Sequence, residues 1–476
     1  MSLISGAHWT AVSTAGRAII QIIQLSVLVR LLDKEEFATL AILQTLLLII
    51  VVLIEFGTGS IIVAKRISSV KLTAQMLTLN FILGSIYAVL LLLFGQTFLQ
   101  LFDLGTSFVA MALFSVLHLV SSLTFVPAAL LQLRLKFKAI AVAELLCALI
   151  NLSVIAVTLS FGAGLAGVML GFLLGMIIKL WILASYLDRP LSLQFPSLEK
   201  MLHLLRFGSY RSGSMLLNQI GSNADILIVG RFLGVQDLAV YAAVRNLLAK
   251  TVQLFSTVLG KLVLPVLSQV RNNSVAFQSR FLKSLALLSA IIFPVYGALA
   301  VTSNQITLLV FGDNYPDAYW VMSLLVGVSG LRVLMGLTGQ ALLSRSLVRH
   351  MFVWNLGVLS LSCVVILLAA KYDLQTVCVT LLVMQIMLWI TQTVWLLGRL
   401  CELNLIRYFT TVLVLGVPSV SLVAVNWYVR PFTSLVSIDW TGMTMDISCW
   451  AAILALQYFL CRYLFKSGDL NESYPS

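Results

Sequence analysis

The sequence predicts an all-α integral membrane protein of about fourteen transmembrane helices, arranged as two pseudo-symmetric six-helix lobes followed by two C-terminal helices. Three observations point there. Hydrophobic residues make up 60% of the chain and charged residues only 10%, where a soluble domain carries roughly a quarter charged. The apolar residues gather into runs near the ~20 residues that an α-helix needs to cross the hydrocarbon core. A short motif also recurs once in each half, at a constant offset of 201 residues.

Taken in order, the expected spans are 9–30, 38–62, 75–95, 106–130, 139–160, 164–186, 207–230, 238–261, 284–310, 320–343, 351–370, 375–397, 409–429 and 444–464. Pro418, Asn426 and Asp446 interrupt the last two. The first sixteen residues hold no Lys or Arg. The basic n-region of a cleavable signal peptide is therefore missing, and the first apolar segment is expected to stay as a helix. The longest loop contains Pro190 and Pro196. The expected organisation is an N-terminal lobe over 1–190, a linker over 191–206, a C-terminal lobe over 207–400, and the last two helices with a tail over 401–476.

Basic residues orient the chain. Loops after even-numbered spans, together with the C-terminus, hold nineteen Lys and Arg, among them Lys65, Arg134, Lys200 and Arg280. Loops after odd-numbered spans hold five: Arg30, Lys34, Arg231, Lys371 and Arg430. Positive loops stay cytoplasmic, so both termini are expected in the cytoplasm. The net charge of +12 fits loops facing an anionic leaflet. It does not fit nucleic-acid binding, which gathers basic residues on one water-facing surface.

The repeat pairs Arg30-Leu31-Leu32-Asp33 through Ala38 and Ala41 with Arg231-Phe232-Leu233-Gly234 through Ala239 and Ala242. Six spans separate the copies, so the halves run parallel, one of the ways transporters are built. Thr10, Thr14, Arg17, Gln21 and Gln24 follow at spacings of 4, 3, 4 and 3, which is one helical face. The same offset lands on Arg211, Met215, Asn218, Ser222 and Asp225. The eighth span adds Asn246, Lys250, Gln253 and Thr257 on one face, with Arg245 beside them, and the tenth carries Arg332 near its centre.

A charge near the bilayer midplane costs about 2.5–3.5 kcal/mol on insertion scales. Such groups face a water-filled cavity or pair with each other. A structural pairing of Asp225 with Arg245 is one alternative to a cavity-facing role, and Lys179, Arg211, Glu55 and Glu144 lie close enough to helix ends to snorkel. Cations still outnumber anions within the spans, which predicts an electropositive lumen for an anionic cargo. Arg suits phosphate because its planar donors bind two oxygens at once. The expected substrate-binding cations are Arg17, Arg211, Arg245, Lys250 and Arg332. The expected polar-stripe or coupling residues are Gln21, Gln24, Asn218, Ser222, Asp225 and Gln253.

Other chemistries lack their residues. No GxxxxGK[ST] loop, HExxH or extramembrane nucleotide-binding domain is present. Cys147, Cys363, Cys378, Cys401, Cys449 and Cys461 form no CxxC pair, and the four histidines are dispersed. No metal, cofactor or catalytic residue is expected, and the protein is not expected to be an enzyme.

Ile4-Ser5-Gly6-Ala7-His8-Trp9, Arg30-Leu31-Leu32, and Glu55-Phe56-Gly57 running into Lys65-Arg66 resemble the N-terminal pattern of the polysaccharide-transporter family, the Wzx-type O-antigen and exopolysaccharide flippases of the MOP superfamily. Arg206-Phe207-Gly208, Asn223-Ala224-Asp225, Gly230-Arg231-Phe232-Leu233-Gly234, Leu264-Pro265 and Phe311-Gly312-Asp313 extend the likeness through residue 410, with a colanic-acid-exporter flavour. Phe37-Ala38 stands where the family commonly has Phe-Gly. The resemblance implies a V-shaped pair of lobes, alternating access, and an undecaprenyl-diphosphate-linked repeat unit as cargo. It places the protein in the bacterial inner membrane as a multi-pass chain involved in surface polysaccharide (O-antigen, lipopolysaccharide) biosynthesis.

Two other readings compete. An ion-coupled small-molecule exporter of the same superfamily takes cations and wants an acidic cavity. A membrane enzyme of polysaccharide assembly, with Glu55 or Asp225 as general base, needs larger polar loops. Besides the lipid-linked substrate and membrane lipid, the candidate partners are a polysaccharide polymerase, a chain-length regulator and a coupling ion, H+ or Na+. Nucleic acid is not expected.

Overall fold

The computed structural model describes residues 3–64, 66–67, 69–195, 198–429, 457 and 460. The described residues are almost wholly helical and contain no strand. The helices run α1 Leu3–Leu31, α2 Lys34–Glu55, α3 Thr58–Ala64, α4 Val70–Gln100, α5 Phe108–Ser122, α6 Phe125–Leu133, α7 Phe137–Ser160, α8 Gly164–Ser185 and α9 Leu198–Phe232. They continue as α10 Val235–Val258, α11 Leu264–Ser268, α12 Ser274–Val301, α13 Ser303–Phe311, α14 Ala318–Ser344, α15 Val348–Ala369, α16 Leu374–Gln392 and α17 Leu405–Val429.

Each expected span through 409–429 overlaps a described helix. The span expected at 444–464 lies outside the described residues, except for Gln457 and Leu460. Ten described helical segments are long and apolar enough to cross a membrane. α9 and α10 are not among them, because polar residues dilute them, and the apolar part of α17 is shorter. The count of fourteen is thus an expectation that the described residues reach only in part.

Three expected spans are broken, and in each the freed backbone is satisfied locally. Phe56 and Gly57 turn left-handed, with φ of 44° and 70°, and split 38–62 into α2 and α3. The Thr58 hydroxyl donates to the Glu55 carbonyl at 2.7 Å, and the Asn80 amide of α4 donates to that hydroxyl at 2.9 Å. Thr58 and Asn80 are both buried. The break between α5 and α6 is held by Ser121, Ser122 and Thr124, whose hydroxyls donate to carbonyls three residues back. Thr302 does the same four residues back where α12 passes into α13. Hydrocarbon tolerates irregular backbone only where such partners exist.

The chain divides into two compact units, Met1–Ala242 and Ala243–Ser476. In the first, α5 packs between α4 and α8, and α7 packs on both α1 and α8. Gly167, Gly171 and Gly175 put a smooth strip on α8 against Thr158, Ile155 and Asn151 of α7, a small-residue interface that lets membrane helices approach closely. In the second unit α14 is the enclosed helix, packed by α12, α13 and α16, while α12 also carries α17.

The division falls after Ala242, whereas the sequence reading put the linker at 191–206. α9 is drawn into the first unit by α2. Gly230 lies against Ile42 and Phe102, and the Gln219 amide reaches the Leu48 carbonyl at 3.4 Å.

The internal repeat is visible in the backbone. α1 ends at Leu31 and α9 at Phe232, while α2 begins at Lys34 and α10 at Val235, so both boundaries repeat at the offset of 201. The Leu32 N–H bonds the Leu28 carbonyl, and the Leu233 N–H bonds the Val229 carbonyl. The Phe37 N–H bonds the Asp33 carbonyl, and the Leu238 N–H bonds the Gly234 carbonyl. Phe37, Ala38, Leu40 and Ala41 are buried, as are their counterparts Leu238, Ala239, Tyr241 and Ala242. Equivalent residues build the same tight corner twice.

Candidate functional site

In the second unit, Tyr296 of α12 is the residue that aims the polar face. It is buried, its hydroxyl lies 3.0 Å from that of Thr251 on α10, and its ring sits beside Phe255. Gly330 of α14 packs on the same ring. One aromatic therefore joins three helices. With Val244, Leu247, Leu248 and Leu259 buried, the helical period turns Asn246, Lys250, Gln253 and Thr257 to the other side of α10. Gln253 and Ser256 are exposed there, while Arg245, Asn246, Lys250 and Thr257 are half-buried.

Arg332 lies two residues from Gly330, about 200° around α14, and so points away from Tyr296. It is exposed at the centre of a helix whose most apolar stretch is 61% buried. Among the described residues it has no hydrogen-bond or ion-pair partner. Just past α10, the widened turn Leu259–Val263 seats Leu259 against Gly336 of α14. Such widened turns recur at functional sites in helices. The second unit therefore presents a polar face on α10 and an exposed guanidinium at mid-span on α14.

The first unit treats its charges differently. Arg17 of α1, expected among the cargo-facing cations, forms an ion pair with Glu144 of α7 at 3.1 Å, with about a quarter of each side chain exposed (27% and 25%). The structure thus makes Arg17 a compensated charge, because Glu144, 127 residues along the chain, arrives on the neighbouring helix.

Asp225 of α9 is buried and accepts a hydrogen bond from the Tyr241 hydroxyl at 2.8 Å. Its other oxygen accepts from the Ile226 N–H at 3.0 Å. Along the matched stripe Gln24 and its counterpart Asp225 are both buried, whereas Gln21 is half-buried and its counterpart Ser222 exposed. The side chains of Arg211 and Asn218 lie outside the described residues.

Sequence reasoning gave no role to Tyr241, which it met only as part of the repeat and the family pattern, or to Tyr296, because a tyrosine in an apolar run reads as packing. The signal for Tyr241 was available, since it stands at the offset position of the buried Leu40.

The described residues thus form a bundle of membrane-length helices that presents polar faces. A family model described as polysaccharide biosynthesis protein matches residues 27–320. The chain belongs to that family. It is 23% identical over 413 residues to the teichuronic acid biosynthesis protein TuaB of Bacillus subtilis strain 168, covering 86% of this chain and 85% of that protein. It is 26% identical over 356 residues to the lipopolysaccharide biosynthesis protein WzxC of Escherichia coli K12, covering 74% and 72%. The fold is similar to that of the lipid II flippase MurJ in an inward closed conformation, with a TM-score of 0.76 at 14% identity, covering 97% of this chain and 99% of MurJ.

Proposed function

We propose that this protein is a flippase that moves an undecaprenyl-diphosphate-linked oligosaccharide repeat unit, of O-antigen or a related surface polysaccharide, across the bacterial inner membrane by alternating access. The observation that carries the reading is Arg332: a permanently charged, exposed side chain at the middle of an otherwise enclosed apolar helix. A guanidinium is stable at that depth beside water or an anion. Together with Lys250 and Arg245 it supplies the donors a diphosphate needs from more than one helix. Asn246, Gln253, Ser256 and Thr257 supply neutral donors and acceptors that suit sugar hydroxyls.

In this reading both termini are cytoplasmic and the lipid tail stays in the bilayer. Asp225, held by Tyr241, is the candidate for coupling to H+ or Na+, and Gln21, Gln24 and Ser222 line the matching stripe. A polysaccharide polymerase and a chain-length regulator are the natural partners on the receiving side.

Complementation tests the function. The gene, expressed in strains lacking their own flippase and making different repeat units, restores surface polysaccharide in at least one. Failure with every repeat unit, despite folded protein in the membrane, overturns the reading.

A further inference from the structure

We propose that a crevice over the first turns of α4 holds the headgroup of an anionic phospholipid, with the segment 188–195 lying beside it in the membrane interface. The crevice is floored by Val70, Leu77, Val126 and Leu130 and walled by Arg134 and Arg189. It draws on none of the residues assigned to the cargo.

The segment after α8 does not leave the bundle as a free linker. Asp188 is bonded by Arg134 and by Lys136, the latter at 2.8 Å, and the Lys136 ammonium also donates to the Tyr186 carbonyl at 3.0 Å. Further on, the Gln194 N–H donates to the Thr78 hydroxyl at 2.9 Å. Thr78 is buried and lies eight residues beyond the start of α4, about 12 Å along a helix rising 1.5 Å per residue. The segment is therefore strapped back along the membrane helix.

Apolar and polar residues alternate along its sequence, and all of them are exposed. Leu191, Leu193 and Phe195 are 36%, 51% and 80% exposed, with Ser192 and Gln194 between them. A row of bare leucine and phenylalanine beside transmembrane helices is stable in hydrocarbon and costly in water. Beside that row Arg134 and Lys136 pair with one acid, Asp188, and Arg189 lines the crevice. Arg189 is exposed and has no described partner, and Arg134 has guanidinium donors beyond the one bonded to Asp188. A soluble anion would satisfy the arginines and leave the leucines bare. A phospholipid with an anionic headgroup satisfies both.

Native mass spectrometry of the full chain in detergent, titrated with phosphatidylglycerol, phosphatidylcholine or inorganic phosphate, tests this. The expected result is a phosphatidylglycerol complex tighter than the phosphatidylcholine one and not displaced by phosphate. Arg189→Gln weakens it about five-fold, the worth of one basic residue near an anionic surface, and leaves phosphatidylcholine unchanged. Leu191→Trp, which fills the crevice with its charges intact, weakens phosphatidylglycerol as well, and Arg349→Gln, a basic residue elsewhere on the chain, does not. Equal binding of the two lipids, or an unchanged affinity in Arg189→Gln, overturns the proposal. Displacement by phosphate does so too, by showing a site for free anions.

Discussion

The two units bury polarity inside apolar helices for different ends. In the first, Arg17 meets Glu144 across α1 and α7, and Asp225 receives the Tyr241 hydroxyl. Charge there ties helix to helix. In the second, Tyr296 and Thr251 do the tying with neutral groups, and the guanidinium of Arg332 is left exposed at mid-span. A membrane helix carries an ion either to hold its neighbour or to meet a ligand, and the presence of a partner within reach separates the two.

Substitutions at these positions break or sharpen that contrast. The largest effect is expected at Arg332. Replacement by Ala lowers transport at least about ten-fold, the loss of roughly 1.4 kcal/mol of cargo interaction. The amount of folded protein, read by fluorescence-detected size exclusion, stays within about two-fold. Arg17→Ala behaves in the opposite way. It leaves Glu144 without its partner, and removing one member of a buried pair costs about 3 kcal/mol or more. With a quarter of each side chain exposed, the low end applies. Folded protein and transport then fall together, and the double change Arg17→Gln with Glu144→Gln restores much of the folded protein. If Arg17→Ala instead lost transport alone, the contrast would collapse.

These two residues also show what the sequence makes legible. Residues 1–429 read as membrane helices, because a run of apolar side chains has one stable solution in hydrocarbon. The repeat was readable too, since equivalent corners need equivalent residues. The ion pair of Arg17 was not readable: Glu144 stands far along the chain, and only the packing of α7 on α1 brings it close. The breaks at Phe56 and Thr302 were missed for a related reason. Each lies inside a run long enough to count as one crossing, so the polar residues Gly57-Thr58-Gly59-Ser60 and Thr302-Ser303-Asn304-Gln305 read as features within a span, and threonine hydroxyls satisfy the backbone there. The strap at 188–195 read as a linker because Pro190 and Pro196 mark irregular backbone without saying where it lies.

Smaller effects refine the comparison. Tyr241→Phe removes a donor from the buried Asp225 carboxylate and destabilises by about 1–3 kcal/mol, measured as a shift in the unfolding midpoint. Tyr296→Phe loses one neutral hydrogen bond, about 1 kcal/mol. Its diagnostic is a rise in KM for cargo as α10 loses its anchor, with little change in expression.

The smallest effect is at the strap. The Lys136 hydrogen bond, with Arg134 beside it, holds the Asp188 carboxyl below its ordinary value of 3.8. A depressed carboxyl stabilises fully above the unfolded value and loses that contribution as pH falls through the folded one. Hydrogen-exchange protection across 188–195, after correction for the intrinsic pH dependence of exchange, is therefore expected to be flat above a pH of about 4 and to fall below it. Asp188→Asn is expected to abolish that step.

The measurement that tests the central claim most directly is transport of an undecaprenyl-diphosphate-linked oligosaccharide in proteoliposomes carrying equal amounts of folded wild type, Arg332→Lys and Arg332→Ala. The account predicts a graded loss: partial in Arg332→Lys, which keeps the charge but not the planar donors, and about ten-fold or more in Arg332→Ala. Wild-type transport by Arg332→Ala would contradict it.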